Sequence, residues 1–91
     1  MTVFVVSYDL SAPGRNYDDL IEHLKSYGTY SHPVESTWLI STTKNAGAVR
    51  DAAKKFLDSN DKLLVVSVGS NWASFRLRDA TNTWLKNNVA G

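Results

Sequence analysis

Val3-Phe4-Val5-Val6 and Leu63-Leu64-Val65-Val66 are apolar at every position. Both runs have strand length and are rich in β-branched residues. Successive side chains of a strand point to opposite faces, so a sheet built on these runs is greasy on both sides. An antiparallel sheet with one wet face alternates apolar and polar residues instead. Whatever this chain folds into must therefore cover two faces of one sheet. Leaving several Val and Leu side chains wet forfeits about 1.5–3 kcal/mol each, a sum comparable with the stability of a small domain.

One cover is legible between the strands. Residues 2–8 form the first strand, closed by Asp9 and the turn cluster Ser11-Ala12-Pro13-Gly14. Asn16 offers an N-cap oxygen, and Asp18 and Asp19 suit the first turn of a helix. Tyr17, Leu20, Ile21, Leu24 and Tyr27 then recur at helical spacing, with Gly28 as the left-handed stop. Thr29–His32 reads as a short edge strand, since Pro33 lacks the donor a central strand needs. Residues 36–42 read as a longer strand. Asn45 caps a second helix, with Ala46, Val49, Ala52, Ala53, Phe56 and Leu57 on its apolar stripe and Asp51 spaced to pair with Lys55. Residues 62–68 are the fourth strand, stopped by Gly69. The expected fold class is α+β, a βαββαβ antiparallel sheet with both helices on one face.

The second cover has two sources. Residues 1–69 make the core domain, and residues 70–91 form a C-terminal extension that packs on the core or on a dimer partner. In the extension, Trp72–Leu77 is a short strand or an irregular cover. Asp79 caps a final helix carrying Ala80, Trp84, Leu85 and Val89 on one side. The patch favours a homodimer in which sheets or tails meet around a two-fold axis. The alternative is a monomer whose tail folds under the sheet.

Ninety-one residues make one domain with a thin core. The absence of cysteine excludes disulfides and thiolate metal sites, and with it the usual staples of a small secreted domain. The N-terminus lacks a basic segment and meets Asp9 too soon for a signal peptide or a membrane span, so a cytoplasmic location is expected. Net charge is only +1, but it is uneven. Up to Thr42, two basic residues stand against five acidic ones; from Thr43, eight stand against four. A modest basic face therefore belongs to the second helix and the tail.

No P-loop, Rossmann glycine fingerprint, zinc spacing or trustworthy Ser/His/Asp arrangement occurs. Asp9 is the residue best suited to chemistry. A carboxylate at a strand's end can hold Mg²⁺ through hard oxygen contacts, and two copies across a two-fold axis could share the ion and activate water for phosphodiester attack. Equally, an aspartate there can be an Asx-turn acceptor that only shapes the strand exit. Tyr8 packs or stacks on a base. Arg15 touches a phosphate or is a solvated loop charge. His23 and His32 titrate near neutrality and could act as bases, although surface or hinge roles are commoner. Ser36 bonds backbone or orients a site group. Arg50 and Lys54, with Lys44, Lys55, Arg76, Arg78 and Lys86, contact a nucleic-acid backbone or form a solvated, ion-paired face. Trp38, Trp72 and Trp84 read as core or interface anchors before stacking platforms.

The segment Val5-Val6-Ser7-Tyr8-Asp9-Leu10 resembles the first strand of the small CRISPR-associated Cas-two proteins, which ends in a tyrosine-aspartate pair. Tyr27-Gly28 followed by Glu35-Ser36-Thr37-Trp38 is similar to that family's helix end and third strand, with Glu35 where the family often has glutamine. Asp61–Val66 is similar to its last strand. The chain also resembles the SinR-like proteins, in Ser36–Ile40, Asn60–Val66 and the Trp84-Leu85-Lys86-Asn87 tail, and through them VapD-type ribonuclease toxins. The resemblance covers most of the chain. It implies a ferredoxin-like sandwich and a homodimer. It also implies a metal-dependent endoribonuclease or endodeoxyribonuclease with Asp9 as Mg²⁺ ligand, or a noncatalytic dimer that binds RNA or DNA. Arg15 alone stands where the family's first helix begins with several arginines. A small-ligand regulatory domain remains a third possibility, since a fold decides no function by itself.

Overall fold

A computed structural model describes residues 1–11 and 17–89. The elements run β1 (Thr2–Asp9), α1 (Asp18–Lys25), β2 (Tyr30–Val34), β3 (Thr37–Thr42), α2 (Ala46–Lys54), β4 (Lys62–Val68) and α3 (Asp79–Asn88). The strands form one antiparallel sheet in the order β2-β3-β1-β4. The domain is α+β. Among the described residues no helix is long and apolar enough to cross a membrane.

Register explains how the two-sided apolar runs are used. Phe4 and Val6 of β1 stand opposite Ile40 and Trp38 of β3. Their side chains meet Leu20 and Leu24 of α1 and Val49 and Ala53 of α2 in the main core. Val3 and Val5 point the other way. Val3 joins Leu39 and Leu85 of α3 in a second cluster, with Val5, Val68, Trp72, Trp84 and Val89 packed around it. So α1 and α2 share one face and the C-terminal extension occupies the other, the arrangement in which the tail folds under the sheet. That cover is partial. On β4, Leu64 is 60% exposed and Val66 46% exposed.

The strand and helix ends differ from the sequence reading in instructive places. β2 carries Pro33 inside it, which is tolerable because β2 is an edge and its register with β3 shifts between Ser31 and Val34. β3 starts one residue late, because Ser36 turns with a φ of 61° and forms a two-residue hairpin loop with Glu35. α1 ends at Lys25, and Gly28 takes the left-handed conformation expected of it, with φ of 84°. The Asn16 cap lies outside the described residues. Asn45 caps α2 as expected, its Oδ1 accepting the Ala48 N–H at 2.9 Å. Asp51 takes its 2.9 Å bond from the neighbouring Arg50, where the spacing points to Lys55. Residues 72–77 form no strand, and Arg78 rather than Asp79 is the N-cap of α3. The buried residues of α3 are Thr81 and Leu85, and Ala80 is exposed.

Candidate functional site

Asp9 ends β1 and is exposed. Its cross-strand partner is Lys62, the first residue of β4. Directly opposed residues share a face, so an ammonium stands on the same side of the sheet as the candidate carboxylate. Tyr8, one residue earlier, points to the other face. There it packs against the main core, and its hydroxyl accepts the Trp38 indole N–H at 3.1 Å. This geometry gives Tyr8 packing contacts on the core side of the sheet. Ser36 reaches the same end of the sheet through its backbone, its carbonyl accepting the Tyr8 N–H at 3.0 Å. Arg15 lies outside the described residues.

Arg50 and Lys54 are exposed on α2, on the face opposite Asp9. They line a cleft of about 490 Å³ with Leu57, Asp58, Ser59, Asp61 and Leu63. The sheet thus sets Asp9 on one face and Tyr8, Arg50 and Lys54 on the α2 side. Tyr8, Asp9 and Ser36 gather at the end of β1, and Arg50 and Lys54 flank the start of β4. Among the described residues no group of three or more His, Asp or Glu side chains is close enough to hold a metal ion.

Asp61 joins the two regions, and nothing in the sequence singled it out as a site. Its Oδ1 accepts the Ser11 N–H at 2.8 Å and the Ser11 hydroxyl at 2.9 Å. Its Oδ2 accepts the Asp58 N–H at 2.7 Å, and the Tyr17 hydroxyl lies 3.1 Å from both oxygens. The backbone N–H groups of Ser11 and Asp58 lead in holding this carboxyl down at about 2. One side chain therefore ties the exit of β1, the entry to α1 and the loop before β4.

The two histidines have structural surroundings. The exposed His32 lies flat on the Trp38 indole, with ring centroids 4.1 Å apart and an interplanar angle of 11°. Its carbonyl accepts a bond from Arg78 at 3.1 Å. His23 sits between Tyr27 and Phe56, at centroid distances of 5.4 and 5.1 Å. Its Nε2 and the Tyr27 hydroxyl are buried and have no hydrogen-bond partner among the described residues. Burial first, then Lys44 and Lys55, push the imidazole below its ordinary value of 6.5.

The unfolded chain takes up a proton at His23 near 6.5, whereas the folded chain resists it until lower pH. The neutral imidazole's contribution is whole above 6.5 and is lost as pH falls through the depressed folded value. Thermal melts of the wild type are expected to drop between neutrality and the mildly acidic range. His23→Phe, which keeps the ring contacts without the titrating nitrogen, is expected to flatten that slope. An equal slope in both proteins would remove His23 from the explanation.

No protein-family model matches this chain, and no solved structure matches it.

Proposed function

We propose that the chain is a ferredoxin-like, cytoplasmic homodimer that binds nucleic-acid backbone without catalysis. The antiparallel order β2-β3-β1-β4, with α1 and α2 together on one face, supports the ferredoxin-like reading. The observation that carries the binding role is the pairing of Arg50 and Lys54 on the rim of one open cleft. Two exposed cations on adjacent turns of a helix engage successive phosphates without reading sequence. Asp58 and Asp61 border the same cleft. Asp61 spends its oxygens on internal bonds, which limits its repulsion of an anion.

The test is a salt series. Wild-type protein is expected to bind labelled single-stranded RNA or DNA with an affinity that falls steeply with salt. Arg50→Glu with Lys54→Glu is expected to weaken binding by at least about ten-fold and to flatten that dependence, given two lost phosphate contacts. Binding that survives both substitutions unchanged would defeat the reading.

A Mg²⁺-dependent nuclease built on Asp9 is the second reading, and the exposed position of Asp9 at the strand's end favours it. A single carboxylate facing Lys62 is a poor cation ligand, so this chemistry needs the Asp9 of a second copy within reach. Asp9→Ala is expected to leave nucleic-acid binding intact. Wild-type cleavage that needs Mg²⁺ and disappears in Asp9→Ala would replace the noncatalytic reading with the nuclease.

A further inference from the structure

The two edges of the sheet are not alike. β2 is short, contains Pro33, and breaks register between Ser31 and Val34. Those are the features that stop an edge strand from pairing with another chain. β4 has none of them. It runs seven residues in unbroken register with β1, from Val3 opposite Val68 to Asp9 opposite Lys62. It contains no proline, and its single charge is at its first residue. Among the described residues, no strand lies beside its outer backbone groups. Leu64 and Val66, both on the face away from α2, are exposed along it.

We propose that β4 pairs antiparallel with β4 of a second copy, making one continuous eight-stranded sheet. The proposal rests on the homodimer reading above and specifies its interface. The strand's own sequence argues for a copy of itself. A two-fold axis through Val65 is the register that keeps all seven residues in the ladder, with Lys62 opposite the partner's Val68. It sets Leu64 opposite the partner's Val66, and Val66 opposite the partner's Leu64. The most exposed apolar side chains of the strand therefore meet on one face as cross-strand pairs. An isologous contact of this kind closes on itself and leaves no further β4 edge to propagate a fibre. A net charge of +1 per chain adds little long-range repulsion. On the other face, Arg50 borders a smaller hollow of about 210 Å³ with Leu63 and Val65, where its aliphatic stem can lie over the joined strands.

The geometry also separates the candidate carboxylates. At about 3.4 Å per residue and about 4.8 Å between strands, the two Asp9 residues come to lie about 25 Å apart, too far to share an ion. The edge-paired dimer and the shared-metal nuclease exclude one another.

Solution mass across the micromolar to millimolar range, with residue-resolved hydrogen exchange of β4, tests the interface. The wild type is expected to be a dimer in which the outward-facing amides of β4 exchange slowly. Leu64→Lys with Val66→Lys is expected to be a folded monomer in which those amides exchange fast. Both side chains are exposed, so the substitution spares the core, and far-UV circular dichroism checks the fold. A wild-type dimer with fast outward amides, or a double variant that remains dimeric, overturns the β4 interface and leaves the homodimer standing. A monomeric wild type overturns both and leaves the edge to a strand from another protein. Nucleic-acid binding by that monomer would still uphold the role of Arg50 and Lys54.

Discussion

Trp38→Ala is expected to destabilise the domain by about 3–5 kcal/mol, the usual cost of truncating a buried tryptophan. For a chain of 91 residues that is a large share of a total of roughly 5–14 kcal/mol. The side chain is 2% exposed and lies in the main core. It also does more than fill space. Its N–H satisfies the Tyr8 hydroxyl, the His32 ring lies stacked on it, and Tyr30 leans on it at 5.7 Å. Removing it opens a void between the middle of the sheet and its β2 edge. Trp38→Phe separates the contributions. It keeps most of the volume and the stacking surface but leaves the Tyr8 hydroxyl without its donor, and is expected to cost about 1–3 kcal/mol. Urea unfolding followed by circular dichroism measures both. A loss for Trp38→Ala no greater than that for Trp38→Phe would show that the site collapses around the truncation.

The apolar runs made the middle of the sheet legible. Val3–Val6 and Leu63–Val66 read as strands because apolar side chains on both faces admit few other solutions, and β1 and β4 lie where those runs are. The helical stripes of α1 and α2 were equally plain, and their inward residues Leu20, Leu24, Val49 and Ala53 form the core. What escaped was set by neighbours distant in sequence. Ser36 adjoins the strand-type run Thr37–Thr42, and the tight return from β2 to β3 sets it at a φ of 61°. Thr81 gave no apolar signal, yet it is buried in α3 with its hydroxyl 3.4 Å from that of Ser31. The two faces of the candidate site were legible in principle, since strand alternation already sends Tyr8 and Asp9 apart. The separation of Arg50 and Lys54 from Asp9 was not, because it depends on which face α2 packs against. Asp61 was the largest omission. Its partners Ser11 and Tyr17 are fifty and forty-four residues away, and no periodicity connects them.

Asp61→Ala is therefore expected to loosen three elements at once. The substitution leaves the backbone N–H groups of Ser11 and Asp58 without their acceptor and frees the Tyr17 hydroxyl. Tyr17 is 9% exposed and belongs to the main core, so the loss reaches the packing of α1. A fall in melting temperature of several degrees is expected, with the segment around Ser11 and the loop before β4 losing hydrogen-exchange protection first. The pH dependence identifies the cause. The carboxyl titrates at about 2 in the folded chain against 3.8 ordinarily. Its contribution is complete above 3.8, and is lost as pH falls through about 2, because only the unfolded chain takes up the proton on the way down. Wild-type stability is expected to decline across that interval, while Asp61→Asn, which cannot ionise, is expected to lack this part of the decline. Asn retains one acceptor oxygen, so it should fall between the wild type and Asp61→Ala at neutral pH. If Asp61→Asn tracks the wild-type acid profile, the ionised carboxylate is not what fastens the exit of β1 to the entry of β4.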